Sequence, residues 1–263
     1  MPRILSAAPF AVLFFALTLS AQTVTRRGAR EPAWAPDGKR LAFSYLDRIW
    51  ISGPDGRNGK MLRQQSTEAE RDPAWSPDGK SLVIAADSGQ GFNLVVLSSS
   101  GNGARRLTSL RGDERWPSWT AHGQVIFSYR ESGRWQLFAV PAEGGEPRPL
   151  FGDTAEDNER HGRVSPDGNR IAYVSDREGD DGDTDLWIAE LKPGPRDRVT
   201  RTRLLRARGL EGFPSWSPDG SRLAFFGIRE GVGSVWVVGV EDPVPPADAV
   251  PVPPVRPAET NCC

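Results

Sequence analysis

Residues with the chemistry for catalysis are few and badly placed for it. The two histidines are His122 and His161, and the two cysteines, Cys262 and Cys263, sit side by side far from both. There is no Gly-x-Ser-x-Gly nucleophile elbow and no His-Glu-x-x-His zinc motif. The sequence therefore leads to a non-enzymatic protein with no cofactor. Asp181, Asp183 and Asp185 alternate as oxygen ligands do in a calcium loop, but the glycine and distal glutamate of an EF-hand are missing. That cluster reads first as a solvated hairpin tip and second as a weak calcium site, and no other metal site is expected.

The other charged pattern is periodic. Four places before a recurring Trp position stand Arg30, Arg71, Arg115 and Arg160, with Gly212 in the fifth instance. One place earlier stand Glu70, Glu114, Glu159 and Glu211. A row of guanidinium groups can grip carboxylates or backbone carbonyls of a partner. Equally, each Glu-Arg pair can bridge neighbouring structural units. The candidate partner-binding set is Arg30, Arg71, Arg115, Arg160 and His161, with Tyr45 and Tyr129 on loops expected at the same end. His122 replaces the aspartate of a turn and reads as a turn variant.

An internal repeat must position these residues. Pro-Ala-Trp34-Ala-Pro-Asp-Gly38 returns as Pro-Ala-Trp75-Ser-Pro-Asp-Gly79, Pro-Ser-Trp119-Thr-Ala-His-Gly123, Val164-Ser-Pro-Asp-Gly168 and Pro-Ser-Trp216-Ser-Pro-Asp-Gly220. The intervals are 41, 44, 45 and 52 residues. Such a period holds four short strands, the content of one propeller blade. The Pro-x-Trp segment is the inner strand. Ser-Pro-Asp-Gly is a tight turn in which proline presets φ, aspartate bonds the backbone and glycine takes the positive φ. Two apolar runs and a short outer strand complete each unit, and the tryptophans are expected to pack between blades. The fold class is all-β: a propeller of five four-stranded blades. The fifth unit has no evident outer strand, and Thr23-Val-Thr-Arg-Arg-Gly resembles Leu107-Thr-Ser-Leu-Arg-Gly. An N-terminal strand is thus expected to complete the last blade and close the ring; the alternative is an open fragment of a larger ring.

The ends differ from this body. Arg3 precedes an apolar run from Ile4 to Leu19 and small residues at Ser20 and Ala21, the pattern of a secretory signal peptide over residues 1–21, with an uncleaved anchor as the alternative. Residues 22–242 form the propeller. Residues 243–263 hold seven prolines in 21 positions and read as an extended, disordered tail. Lys plus Arg total 33 against 34 acids, a balance that argues against nucleic acid as a partner. After signal cleavage no transmembrane span is expected.

The repeated Pro-x-Trp-Ser-Pro-Asp-Gly-x-x-Leu-Ala-Phe, followed by Ile-Trp-Ile and Arg-Arg-Leu-Thr, resembles the TolB-type propeller repeat across nearly all of residues 22–240. The resemblance implies a periplasmic or secreted scaffold that binds a protein or peptide partner in the cell envelope. The same repeat occurs in propellers of prolyl-oligopeptidase-like serine peptidases and in some secreted polysaccharide lyases. Two alternatives therefore stay open: a peptidase-type propeller without its catalytic domain, and a carbohydrate-active enzyme.

Overall fold

The structure is a computed structural model that describes residues 28–152, 157–177, 183–191, 200–205, 209–229, 231–241 and 250–251. It is all-β, with five four-stranded antiparallel sheets arranged as a five-bladed propeller and no helix among the described residues. Blade 1 holds β1 (Arg30–Trp34), β2 (Leu41–Tyr45), β3 (Arg48–Ser52) and β4 (Lys60–Met61). Blade 2 holds β5 (Ala69–Trp75), β6 (Ser81–Asp87), β7 (Phe92–Ser98) and β8 (Arg105–Arg106). Blade 3 holds β9 (Asp113–Trp119), β10 (Gln124–Arg130), β11 (Trp135–Pro141) and β12 (Arg148–Pro149). Blade 4 holds β13 (Arg160–Val164), β14 (Arg170–Ser175), β15 (Asp185–Glu190) and β16 (Arg201–Leu205). Blade 5 holds β17 (Leu210–Trp216), β18 (Arg222–Arg229), β19 (Val232–Gly239) and β20 (Val250–Pro251).

The repeat's turn chemistry sets the first hairpin of each blade. In Ser76-Pro77-Asp78-Gly79 the Gly79 amide donates to the Ser76 carbonyl at 2.9 Å. Asp78 Oδ1 accepts from the Ser76 hydroxyl at 2.6 Å and from the Lys80 amide at 3.0 Å. Gly79 has φ +66°, and its counterparts Gly38, Gly123, Gly168 and Gly220 are all left-handed. Only glycine adopts that conformation without a Cβ penalty.

Side chains alternate across each sheet, so every blade has one face toward the next blade and one toward the blade before. Val83, Ala85 and Leu94 of blade 2 pack on Val125, Phe127 and Phe138 of blade 3. Equivalent clusters join blades 1 and 2, 3 and 4, and 4 and 5. Indole bonds lock the same interfaces. Trp75 Nε1 donates to the Ala33 carbonyl at 3.0 Å, Trp119 Nε1 to that of Ala74 at 3.1 Å, and Trp216 Nε1 to that of Arg163 at 2.8 Å. Blade 4 has Val164 in place of the tryptophan, and there the Val164 amide donates to Ser118 Oγ at 3.1 Å. From the other side, Arg40 lies 4.5 Å from the Trp75 ring and donates to the Gly79 carbonyl at 3.0 Å. Arg170 does the same with Trp216 and Gly220.

The fifth junction differs. Among the described residues, no core cluster joins blade 5 to blade 1, and β17 does not pack on β1 as the other neighbouring inner strands pack on one another. Trp34, expected in the core with the other repeat tryptophans, is 55% exposed because no blade covers it. The outer strand of blade 5 also comes from an unexpected place. It is β20, which pairs Pro251 with Trp236 and Val250 with Val237, rather than a strand from residues 23–26. Those N-terminal residues lie outside the described ones. Proline is compatible with an outermost strand, where one edge needs no ladder donor, and β12 already contains Pro149. The stretch read as a disordered tail thus contributes two residues to the sheet.

Candidate functional site

The inner strands converge on a central channel, and each carries the same irregularity. Register shifts by a bulge between Arg30 and Ala33, Arg71 and Ala74, Arg115 and Ser118, Arg160 and Arg163, and Gly212 and Ser215. Inside each bulge sits one non-glycine residue in left-handed conformation: Glu31, Asp72, Trp116, His161 and Phe213, with φ of 54°, 53°, 53°, 57° and 53°. A left-handed non-glycine residue costs on the order of 1–3 kcal/mol and persists only where its surroundings hold it. Here the holding bonds run from blade to blade. The Asp72 amide donates to Glu31 Oε2 at 3.1 Å, the Trp116 amide to Asp72 Oδ2 at 3.1 Å, and the Phe213 amide to His161 Nδ1 at 3.4 Å. Trp116 has no acceptor to offer, and the His161 amide bonds Ser128 Oγ at 3.2 Å instead.

These five residues divide the channel into two halves. The acidic half is Glu31 and Asp72, held by Arg115. Arg115 Nε and Nη2 reach the Asp72 carboxylate at 2.5 and 3.2 Å, and Nη2 lies 3.6 Å from Glu31. Burial, with Asp72 nearby, pushes the Glu31 pKa above the ordinary carboxylate range. The fully interior Arg163 guanidinium, its pKa lowered by burial, feels the charges of Asp72 and Glu31 and donates to the Trp116 carbonyl at 3.2 Å. The other half is aromatic. His161 stacks on Phe213 with centroids 4.1 Å apart and meets Trp116 edge-on at 4.1 Å, while Trp116 lies 4.8 Å from Trp135. Burial, reinforced by the charges of Arg160, Arg163 and Arg115, drives the His161 pKa down to about 2. It is a neutral imidazole that accepts a backbone hydrogen bond, and it is not a proton shuttle at physiological pH.

The arginines singled out by their spacing stand at one mouth of this channel, and their surroundings differ. Arg71 donates to Asp47 Oδ1 of blade 1 at 2.8 Å, and Arg115 is committed to Asp72 and Glu31. Arg160 is half-buried, with burial lowering its pKa and Asp176 opposing that. Arg30 is exposed beside Leu46, Asp47 and Arg71 in a shallow cleft. The preceding glutamates are buried. Glu70 accepts from the Ile49 amide at 3.2 Å and pairs with Arg63 at 3.1 Å, and Glu114 accepts from the Leu94 amide at 3.1 Å and from Thr108. Both rows therefore bridge blades. Tyr45 is partly exposed at the mouth, but Tyr129 is buried. Its hydroxyl lies 3.0 Å from the Arg111 carbonyl and from Glu131, and burial pushes its pKa up to about 12.

Asp181 of the acidic cluster lies outside the described residues. Asp183 accepts from the Gly209 amide at 3.1 Å, and Asp185 is buried and paired with Arg203 at 3.0 Å. Asp185 is thus taken by a cation of the chain itself, and the described residues hold no metal-binding group of three or more ligands. What sequence reasoning missed is the position three before each tryptophan. Its signal was variability: Glu, Asp, Trp, His and Phe occupy it while the Trp two to three places on barely changes.

The model of the TolB beta propeller domain family matches residues 23–182. A 103-residue stretch is 30% identical to tricorn protease homolog 1 of Streptomyces coelicolor, covering 39% of this chain and 8% of that protein. A 67-residue stretch is 40% identical to the Tol-Pal system protein TolB of Alcanivorax borkumensis, covering 26% of this chain and 14% of that one. The matched stretches thus span a small part of both curated relatives. Among solved structures, TolB from Acinetobacter baumannii superposes with a TM-score of 0.65 at 20% identity, over 81% of this chain and 52% of that one, a likeness of fold.

Proposed function

The chain belongs to the TolB beta propeller domain family, and from that premise we propose that it is a non-catalytic scaffold that binds a protein or peptide at the arginine-bearing mouth of its channel. The observation that carries this reading is the ring of five left-handed residues. The repeat fixes their backbone while their side chains vary from carboxylate to aromatic, so the ring presents an acidic half and an apolar half to whatever enters. A polypeptide segment offers both kinds of group. Arg30 and Tyr45 at the rim, with Arg71, Arg115, Arg160, His161 and Tyr129 behind them, form the wall. The apolar leader over residues 1–21 and the likeness to TolB support export and a partner in the envelope, periplasmic or secreted. No helix among the described residues is long and apolar enough to cross a membrane.

The test is capture of partners from an envelope extract by the chain lacking residues 1–21, compared with Arg30→Glu and Phe213→Ala variants. Both substituted side chains are exposed, so the fold should survive. Loss of one captured protein in both variants supports the reading. Capture unaffected by either change would place the interaction elsewhere. The stretch shared with tricorn protease homolog 1 supports a second reading, a peptidase-type propeller, which a separate peptidase chain co-captured in the same experiment would favour.

A further inference from the structure

The unpacked junction between blades 5 and 1 exposes two sheet faces that elsewhere in the molecule are interior. Phe226 and Val235 of blade 5 correspond to Ala85 and Leu94 of blade 2, which are wholly buried against blade 3. In blade 5 they are 39% and 47% exposed. On blade 1, Tyr45 and Trp34 are exposed where Ala86 and Trp75 of blade 2 are buried. Half of each interblade lock also stands ready. Arg222 follows Gly220 as Arg40 follows Gly38, yet among the described residues no tryptophan ring lies against it. Trp34 is the donor, and the Ser215 carbonyl the acceptor, that the other interfaces bring together.

The two faces do not suit each other. At the four packed interfaces the face turned to the next blade carries aliphatic residues, such as Val83, Ala85 and Leu94, while aromatics such as Phe127, Tyr173 and Phe225 stand on the receiving face. Blade 1 follows this rule on its receiving face, with Phe43, Tyr45 and Trp50 on alternating positions of paired strands. Blade 5 breaks it, because Phe226 takes the position of Ala85. Direct closure would set Phe226 against the blade 1 aromatics, an overpacked contact. The same mismatch disfavours a second copy of this chain, whose blade 1 and blade 5 present the same faces.

We propose that this junction is a docking slot for one further β-sheet blade carried by another polypeptide. That blade has a tryptophan on its inner strand to sit over Arg222 and bond Ser215. It has no aromatic where it meets Phe226, and an aliphatic face toward Trp34, Tyr45 and Trp50. An exposed apolar surface of this breadth marks an interaction site, and the site is separate from the channel mouth.

Blade 2 of this chain meets the requirement on both faces and serves as the probe. Residues 69–108 are appended to the full chain through a Gly/Ser linker, and separately co-expressed with the full chain as a tagged segment. Acrylamide quenching of Trp34 is read as the difference between each protein and its Trp34→Phe counterpart. Both forms should reduce quenching of Trp34 and shift its emission to the blue, and the tagged segment should co-purify with the chain. Val235→Asp should abolish these effects without altering the melting temperature of the chain alone. Unchanged quenching in the linked form would overturn the slot. Quenching already low in the chain alone, or a dimer in sedimentation that Trp34→Phe dissolves, would show the faces covered by the chain itself. Protection in the linked form without co-purification of the separate segment would overturn docking from another polypeptide.

Discussion

Replacing Arg115 by methionine isolates the electrostatics of the acidic half of the channel. Methionine keeps most of the stem that lies near Phe92 and Trp116 and removes the guanidinium that neutralises Asp72 and Glu31. The Asp72 side chain is 1% exposed, so water cannot replace the lost partner. Removing one member of a buried pair costs about 3–5 kcal/mol. Arg163 also acts on both acids, which places the expected loss near the lower bound, about 3 kcal/mol. For a domain of this size that lowers Tm by about 6–12 °C. The effect must depend on pH. Without Arg115 the folded-state pKa of Glu31, already raised, rises further, and that of Asp72 rises with it. A carboxyl with a raised folded pKa contributes stability that is complete below its unfolded pKa and is lost as pH rises through the folded one. The deficit of the variant should therefore be full at pH 7 and shrink on acidification toward about pH 4, where both acids protonate. Urea denaturation of both proteins across that range measures it, and adding Asp72→Asn and Glu31→Gln to the variant should recover most of the loss at pH 7. A deficit that stays constant with pH would refute the charge argument and assign Arg115 to packing alone.

Gly79→Val places a β-branched residue at φ +66° and should cost on the order of 1–3 kcal/mol, read from the denaturation midpoint. Trp216→Phe removes the indole bond to the Arg163 carbonyl and should cost about 0.5–1.5 kcal/mol, whereas Trp34→Phe, at the uncovered end of the ring, should stay within about 0.5 kcal/mol of the parent in the same assay. The His161 imidazole should show no protonation shift by NMR between pH 7 and pH 4, and a midpoint near 6.5 would contradict its burial.

The turns and the strand order were legible because Pro-Asp-Gly and Pro-x-Trp name their own backbone conformations. Which residues face the channel was not, because a bulge in each inner strand rotates one residue out of the alternation on which facing is normally read. Tyr45 and Tyr129 occupy the same repeat position, yet one is exposed and the other buried. The difference lies in whether a blade stands in front, a property of the assembled ring and not of local sequence. The outer strand Val250–Pro251 was hidden for a related reason. Proline density argues for an extended, solvated chain, and an outermost strand is extended and half-solvated as well.

The outer strands have a consequence for behaviour in a crowd. Four of the five are only two residues long, and they carry lysine, arginine or proline: Lys60–Met61, Arg105–Arg106, Arg148–Pro149 and Val250–Pro251. A rim built this way offers a colliding molecule too few consecutive amide groups to zip onto, and often a positive charge or a missing donor at the point of contact. The periphery is therefore a poor template for amyloid-type growth, so molecules concentrated in one compartment can touch rim to rim and separate again.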